Sequence, residues 1–251
     1  RGLGGSSAGR ALVLLDGIPA GDPFSGWLDW GRIPLPLLQS AEVVRGGGSI
    51  VWGSRSLGGV VNLRTISPRR DEARMMLETG SLGTYHGAGA GSLRRGRLSA
   101  TLGADYWNTD GFVVLRADQA GPVDLRAATT SRAVSGKVTY DATGALQLWA
   151  GGGTFTGGDR PLGFKEKQVF DEGRGGLRWV SRSGGVASLA VFANRRLSLG
   201  RSYSINADRT AQTPQRINAL PASSAGTTSS ASLTGPKPWR CRGRRQPRRR
   251  S

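Results

Sequence analysis

The stretch EVVRGGGSIVWG at residues 42–53, continued by GGVVNL at residues 58–63, decides the fold of this chain. It joins a short apolar strand to a glycine-rich turn and then to a second short strand, because glycine permits the positive φ angles of tight turns. Upstream, ALVLLDGIP at residues 11–19 is an apolar run that ends in an Asp-Gly turn signal. We therefore predict a small domain of short strands over residues 1–67.

A phosphate-binding loop is the alternative interpretation of the glycines. Such a loop needs a Lys followed by Ser or Thr after the glycines, and a long helix beyond them. Neither follows the run GGGS at residues 46–49. We interpret these glycines as turn residues of a β-rich domain.

Together the two motifs resemble the second half of the plug domain of TonB-dependent outer-membrane receptors. They stand in that family's order and spacing, and the resemblance covers residues 1–67 nearly without gaps. It implies a partial plug domain, a small α+β sheet, followed by a transmembrane barrel of about 22 strands. The positions that match the family's plug motifs are Asp16, Gly17, Glu42, Arg45, Gly46, Ser49, Gly53, Gly58, Gly59 and Asn62.

The resemblance gives these residues a structural role. Glu42 and Arg45 match charged plug positions that can pair with the barrel wall, and such pairs would hold the plug because a polar lumen screens charges less than bulk water does. The alternative is an exposed pair beside a turn, worth less than about 1 kcal/mol. Ligand-binding residues cannot be assigned from the sequence.

Beyond residue 70 apolar and polar residues alternate, which is the signal of strands with two different faces. One face of the clearest segment carries Leu98, Ala100, Leu102, Ala104 and Tyr106. In the next segment we place Val134, Val138 and Tyr140 on one face, and Arg132, Ser135 and Lys137 on the other. Strands are expected near residues 74–80, 84–93, 97–107, 132–140, 145–155, 173–181 and 186–198, with an eighth around 226–233.

The expected connections also alternate in length. Residues 94–96, 141–144 and 183–185 are short turns, whereas residues 108–131, residues 156–172 and those from 200 onward are expected to be long loops. Short turns at one end and long loops at the other are typical of an outer-membrane barrel. At strand ends we expect an interfacial aromatic girdle of Tyr106, Trp107, Tyr140 and Phe155.

We therefore predict a mainly β chain in three parts. The plug portion occupies residues 1–67, an antiparallel meander from the first third of the barrel occupies residues 68–235, and a basic tail occupies residues 236–251. Seven or eight strands cannot close around a plug, because open sheet edges leave unpaired backbone groups. We expect this chain to be a fragment of a receptor.

The basic tail accounts for much of the formal net charge of +18, since residues 237–251 carry eight Lys or Arg and no acid. Three origins stay open: a reading-frame shift, a disordered arm that contacts anionic lipid or nucleic acid, and a specific nucleic-acid module. We favour the frame shift because alternation stops there, whereas the family's barrels end in a strand that closes on an aromatic residue.

Candidates for catalysis are few. His86 is the only histidine, no nucleophile elbow accompanies it, and we interpret it as a wall residue. The neighbouring acids Asp71-Glu72 and Asp171-Glu172 lie at strand starts, where adjacent side chains point apart. One histidine and the single Cys241 do not supply the usual metal-ligand set. We expect no enzymatic activity, no metal site and no cofactor.

The resemblance implies energy-coupled uptake of a scarce nutrient at the outer membrane of a Gram-negative bacterium. An iron-siderophore is the leading class of ligand, with haem, cobalamin and other complexes open. The implied partners are outer-membrane lipid, a small metal-chelate ligand and the inner-membrane TonB complex, whose contact segment would precede Arg1; no specific nucleic acid is expected. The alternative is a soluble or secreted all-β interaction module whose Arg-rich tail binds anionic polymers.

Overall fold

The protein folds into two β-sheets, which a computed structural model describes over residues 11–22, 26–46, 56, 58–159 and 164–232. Ser49, Gly53 and the basic tail at residues 236–251 lie outside the described residues. In the described part, no helix is long and apolar enough to cross a membrane. The prediction of a mainly β fold, with a small plug-like sheet ahead of an antiparallel meander, is confirmed.

The first sheet, here called the plug sheet, has four short strands in the spatial order β2-β1-β4-β3. They are β1 (Leu12–Leu15), β2 (Ile18–Pro19), β3 (Leu38–Arg45) and β4 (Gly59–Thr65). Strand β1 runs parallel to β4, and the other two pairs are antiparallel. Two 3₁₀ helices, Trp30–Arg32 and Leu35–Leu37, lie between β2 and β3.

The Asp-Gly signal forms the turn between β1 and β2. Asp16 and Gly17 have φ angles of 52° and 83°, and Leu15 pairs with Ile18 across the turn. Two consecutive positive φ angles define the two-residue hairpin turn that Asp-Gly favours. The turn projects the Asp16 side chain beyond the sheet. Behind it lies an apolar core of Leu15, Ala20, Leu28, Ile33 and Leu63.

The second sheet, here called the wall sheet, is an antiparallel meander of eight strands in sequence order. They are β5 (Glu72–Gly80), β6 (Thr84–Arg95), β7 (Leu98–Thr109), β8 (Thr129–Asp141), β9 (Leu146–Asp159), β10 (Phe164–Val180), β11 (Val186–Ile205) and β12 (Gln212–Ser232). Each of the seven expected strands overlaps one of β5–β11. Strand β12 begins well before the 226–233 segment expected for the eighth.

Two of the three expected long loops are mostly strand. Strand β9 runs to Asp159 and β10 begins at Phe164, so four residues replace the loop expected over 156–172. Strand β11 continues to Ile205, beyond the expected loop start at residue 200. The predicted turn at Gly157-Gly158-Asp159 is wrong, because Gly157 and Gly158 pair with β8 and β10. Residues 110–128 do form a long connection.

The wall sheet has the inverse polarity of a soluble protein. On β7, Ser99, Thr101 and Asp105 are only 5–8% exposed, whereas Leu102 is 60% exposed. The polar side chains face the plug sheet and the apolar ones form the outer face. Ser131 and Ser135 are likewise buried on β8, while Val134, Val138 and Tyr140 are exposed.

Three side chains depart from the expected assignment to faces. Arg132 was expected opposite Val134, but it shares the outer face with it, since both occupy even positions of β8. Of the expected girdle, Tyr106 and Tyr140 are exposed on the outer face. Trp107 contacts the plug-facing His86, and Phe155 is 3% exposed in a cluster with Phe170, so neither belongs to an outer girdle.

Candidate functional site

The candidate site is the interface between the plug sheet and the polar face of the wall sheet. The two 3₁₀ helices of the plug contact the wall where its side chains are small. A Cβ on Gly103 would lie 3.1 Å from Cβ of Leu37, so the missing side chain of Gly103 makes room for that leucine. Close contact of this kind fixes the plug's position against the wall.

Asp16, the acid of the Asp-Gly turn, forms the best-connected polar contact of this interface. Its Oδ1 accepts a hydrogen bond from the Thr65 backbone amide at 2.9 Å, and its Oδ2 accepts one from the Thr65 hydroxyl at 2.7 Å. Lys137 Nζ, from wall strand β8, lies 3.0 Å from Oδ2. Both partners of this ion pair are 15% exposed.

The ionisation of Asp16 follows from these contacts. Burial raises the pKa of the carboxyl, but Lys137, the two hydrogen bonds from Thr65 and the nearby Arg174 outweigh it. The net pKa is lowered from its ordinary value, so Asp16 is charged at neutral pH. The ion pair with Lys137 is therefore present under physiological conditions.

Arg32, in the first 3₁₀ helix, is the second plug residue bound to the wall. Its guanidinium donates to the backbone oxygen of Ala20 at 3.0 Å and to Glu172 of β10 at 3.3 Å. Its Cζ lies 3.2 Å from the centre of the Phe170 ring, a cation–π contact. Burial lowers the pKa of Arg32, with Glu172, Asp29 and Asp22 opposing that shift. A guanidinium nevertheless stays protonated in proteins.

A third contact joins Asp22 of the plug to Arg196 of β11 at 3.7 Å, and Arg196 also lies 3.4 Å from Glu166. Arg174 completes the set at 3.5 Å from Glu172. Among the described residues, the ion pairs just named join four acids and four bases: Asp16, Asp22, Glu166, Glu172, Arg32, Lys137, Arg174 and Arg196. Their formal charges cancel, as expected of ions removed from bulk water.

The two sheets also contain buried polar atoms without a protein hydrogen-bond partner. Among the described residues these are Asn62 Oδ1 on plug strand β4, and Ser135 Oγ and Nε and Nη2 of Arg174 on the wall. An unpaired atom of this kind costs about 1–3 kcal/mol in an apolar core. The wall face that carries Ser135 and Arg174 is therefore polar.

The residues expected to join plug and wall are in part replaced by others. Glu42 lies 3.2 Å from Arg64 of the neighbouring plug strand, both more than half exposed, and Arg45 is exposed. Within the described residues neither forms an ion pair with the wall sheet. Asp16 does, and Gly17 supports its turn.

The other matched positions shape the plug sheet. Gly46 and Gly59 have φ angles of 93° and 125°, and a Cβ on Gly59 would lie 2.6 Å from the Val44 oxygen. Gly58 precedes β4 in a turn, and Asn62 lies on β4. Gly59 in particular permits β3 and β4 to approach closely.

Sequence reasoning missed Asp22 and Arg32, and it did not single out Arg196. It placed Glu172 at a strand start, which was wrong, because Glu172 lies within β10 and binds Arg32. The two wall residues carry a usable signal, since each is a charged residue on the polar face of its strand. Asp22 and Arg32 lie in irregular segments without periodicity, where no pattern indicates the direction of a side chain.

His86 also lies on the polar face of the wall. Its Nδ1 is 2.7 Å from Glu78 and its Nε2 is 3.0 Å from Asp105, on the two neighbouring strands. Among the described residues no group of three or more His, Cys, Asp or Glu is arranged to hold a metal ion. Asp171 accepts a hydrogen bond from Thr154 on the outer face, opposite to Glu172, so this adjacent pair points apart as expected.

At the end of the wall sheet away from the short turns, an ion pair joins two of the loops that connect its strands. Arg209, between β11 and β12, binds Asp124 of the 110–128 loop through Nε at 2.6 Å and through Nη2. Arg209 holds a positive φ of 53° there. Its guanidinium lowers the pKa of Asp124 to about 2, aided by the Gly121 amide and opposed by desolvation. This loop clasp spans the ends of the four strands from β8 to β11.

A sheet with a polar inner face, an apolar outer face and a small domain held on the polar side is typical of a plug beside part of an outer-membrane barrel wall. Residues 1–60 match the family model described as TonB-dependent Receptor Plug Domain. A 99-residue segment, 39% of this chain, is 36% identical to the vitamin B12 transporter BtuB of Vibrio cholerae and spans 15% of that relative. The plug portion of this chain, residues 1–60, therefore belongs to the TonB-dependent receptor family.

Solved receptors share the fold at low sequence identity. The siderophore receptor PirA from Acinetobacter baumannii is 17% identical, with a TM-score of 0.64 over 91% of this chain and 37% of its own. The ferric enterobactin receptor PfeA from Pseudomonas aeruginosa, as a G324V mutant, is 14% identical, with a TM-score of 0.63 over 89% and 38%. The chain thus spans well under half of the solved receptors it matches.

Proposed function

We propose that this chain is the rear of the plug and the first part of the barrel of an outer-membrane receptor for energy-coupled nutrient uptake. The observation that carries the proposal is the inverted polarity of the wall sheet together with its ionic contacts to the plug. Leu102 and Val134 face outward while Thr101 and Ser135 face the plug, as a lipid-embedded wall around a hydrated plug requires.

The proposed ligand is a small metal chelate. An iron-siderophore is favoured because siderophore receptors stand among the structural relatives, and cobalamin is the second candidate because the relative with 36% identity is a vitamin B12 transporter. Haem and other complexes are further outcomes of the test. A chelate of this size needs a polar route through the barrel, and the plug–wall interface provides a polar boundary.

The proposed partner is the inner-membrane TonB complex, which would pull on the plug. The ligand must bind the pulled or signalling arrangement differently from the resting one, since equal affinity for both would shift nothing. The contacts that resist the pull are the three plug-to-wall ion pairs of Asp16, Asp22 and Arg32. We assign no enzymatic step to this receptor.

Uptake by a receptor-deficient Gram-negative host tests the proposal. The complete receptor polypeptide is expressed, and accumulation of ⁵⁵Fe-labelled siderophores is compared with that of ⁵⁷Co-labelled cyanocobalamin, with and without TonB. Accumulation of one ligand class that requires TonB is expected. Outer-membrane localisation without any TonB-dependent uptake across the panel would contradict the proposed function.

The competing proposal is a soluble or secreted interaction module. It would have to expose Met75, Leu77 and Leu102 to water, and these are 60–79% exposed. An apolar face of this extent is unfavourable in a soluble monomer. Recovery of a folded, monomeric protein in the soluble fraction would support the module and contradict the receptor.

A further inference from the structure

The polar face of the wall sheet carries a basic concavity at its short-turn end. The concavity has a volume of about 400 Å³, and its charged lining residues are Arg94, Arg97, Arg178 and Asp141. Arg94 shares the polar face of β6 with the buried Ser92, and Arg178 shares that of β10 with Arg174. Short turns lie on the periplasmic side of an outer-membrane barrel. On the membrane location proposed above, the concavity therefore lies at the periplasmic mouth of the barrel.

The acid that lines this concavity is already engaged. Asp141 accepts hydrogen bonds from Nη2 of Arg94 at 2.9 Å and from Nε2 of Gln147 at 2.8 Å. Arg97 donates to the backbone oxygen of Ala142 at 3.3 Å, whereas Arg178 is exposed. Within the described part of the chain, neither Arg97 nor Arg178 forms an ion pair with a carboxylate. Three arginines against one aspartate leave the concavity positive.

Further hydrogen-bond donors extend from the concavity toward the plug. The side chain of Arg174 is 3% exposed, and its Nε and Nη2 have no protein hydrogen-bond partner. Gly176 separates Arg174 from Arg178 on the same face of β10, and Trp149 of β9 pairs with it. The indole Nε1 of Trp149 lies 3.0 Å from where a Cβ on Gly176 would be. Because indole and guanidinium nitrogens only donate, groups suited to an anion follow one another along this strand.

The polar face of β10 changes sign along its length. Glu166 and Glu172 lie toward the loop end, where they bind Arg196 and Arg32. Beyond them the charged side chains on this face are Arg174 and Arg178. The arginines nearer the loops therefore already have carboxylate partners, whereas Arg178 has none among the described residues. Since opposite charges attract, this order favours the short-turn end for an anion.

We propose that this concavity is an exit site, which binds the carboxylate or catecholate oxygens of an anionic metal chelate as the chelate leaves the barrel for the periplasm. The inference rests on the proposed uptake function and narrows its ligand to anionic chelates. Guanidinium groups present paired donors that match paired anionic oxygens. The volume also falls within the range of about 300–1,000 Å³ that is usual for small-molecule pockets.

Uptake by cells that express the complete receptor tests the class of ligand. The anionic probes are a ferric catecholate and a ferric carboxylate chelate, and the neutral probes are a ferric trihydroxamate and cyanocobalamin. TonB-dependent accumulation of an anionic probe is expected. Accumulation of neutral probes alone would overturn the exit site but leave the proposed function standing. No TonB-dependent accumulation of any probe would overturn both.

A double variant tests the residues. Arg97→Gln/Arg178→Gln leaves the Arg94–Asp141 ion pair intact, and its control Arg69→Gln/Arg182→Gln removes two exposed arginines that do not line the concavity. The maximal uptake rate of the anionic probe should fall about tenfold in the first variant, from roughly threefold per exposed cation. The control should stay within about twofold of the unaltered receptor. Arg97→Lys/Arg178→Lys keeps both charges and should recover most of the rate.

Binding of the same probe to cells without TonB separates exit from capture. Because capture precedes exit, the glutamine variant should bind the probe at the cell surface as tightly as the unaltered receptor does. An equal loss of surface binding and of uptake would give the two arginines a structural role and overturn the proposal. Unchanged uptake in the glutamine variant, an equal loss in the control, or no recovery with lysine would overturn it as well.

Discussion

Replacing Lys137 by Met tests whether the Asp16–Lys137 ion pair holds the plug against the wall. The change keeps much of the side-chain volume but leaves a carboxylate that is 15% exposed without its cation. Removing one partner of a buried pair costs about 3–5 kcal/mol. Asp16 keeps its two hydrogen bonds from Thr65, so we expect the lower end, about 3 kcal/mol.

Hydrogen exchange of the β1 and β4 amides measures this cost as a change in the free energy of local opening. A loss of about 3 kcal/mol corresponds to exchange about 150-fold faster. The matched control is Arg64→Met, which removes the partner of Glu42 in an ion pair whose side chains are 57% and 52% exposed. Such a pair is worth about 0–1 kcal/mol, so exchange in the control should change less than about fivefold. Similar acceleration in both variants, or none in Lys137→Met, would refute the assignment.

The same assay has a defined pH dependence. Because the pKa of Asp16 is lowered in the folded protein from its ordinary 3.8, its stabilising contribution is fully present above that value. The contribution is lost as the pH falls through the lowered folded value. Protection of β1 should therefore be flat from pH 8 to pH 5 and decline only below about pH 4. The variant Asp16→Asn should lack this pH-dependent loss of protection. An equal loss of protection in that variant would show that another group titrates.

Three further changes test the remaining contacts. Gly103→Phe should displace the second 3₁₀ helix, because Cβ of Leu37 lies only 3.1 Å from where a Cβ on residue 103 would be. Overpacking of this kind costs about 1–3 kcal/mol. It should be measurable as faster hydrogen exchange at residues 35–38. Asp124→Asn should release the 110–128 loop from Arg209, so that trypsin cleaves within the loop sooner than in the unaltered protein, while cleavage elsewhere stays unchanged. Leu102→Arg should destabilise a lipid-embedded wall by about 2–4 kcal/mol in refolding into lipid vesicles, whereas an unchanged refolding midpoint would place the outer face in water.

Much of the fold could be predicted from the sequence, because the Asp-Gly turn and the alternation of polar and apolar residues are both local signals. The Asp-Gly turn at residues 16–17 requires two positive φ angles, and only a few residue pairs provide them. Alternation on β7 assigns each side chain to a face without knowledge of the partner strand. Strand ends were less accessible, since Gly157-Gly158 is equally compatible with a turn and with a strand, and only its pairing with β8 and β10 decides.

The interface was less accessible because its partners are far apart in the sequence. Asp16 and Lys137 are separated by 121 positions, and Arg32 and Glu172 by 140. The sequence alone assigns Lys137 to the polar face of its strand, but it does not show which acid Lys137 contacts. The sequence prediction names Glu42 and Arg45 because they are adjacent to a motif. Which residues form ion pairs, however, depends on their positions in the tertiary structure.

The balance of charges explains how a plug can be held firmly and still move. The buried apolar clusters of plug and wall are separate, and Leu37 meets the wall at the bare backbone of Gly103, so separation should expose little apolar surface. The ion pairs of Asp16, Asp22 and Arg32 resist separation strongly only while water is excluded, because their attraction weakens as the local dielectric constant rises. Once water enters beside Ser135 Oγ and the Nε and Nη2 atoms of Arg174, which lack a protein hydrogen-bond partner, each ion pair loses much of its strength. Displacement should therefore be cooperative, with the first broken pair weakening the others, so a double variant at Lys137 and Glu172 should cost less than the sum of the single changes.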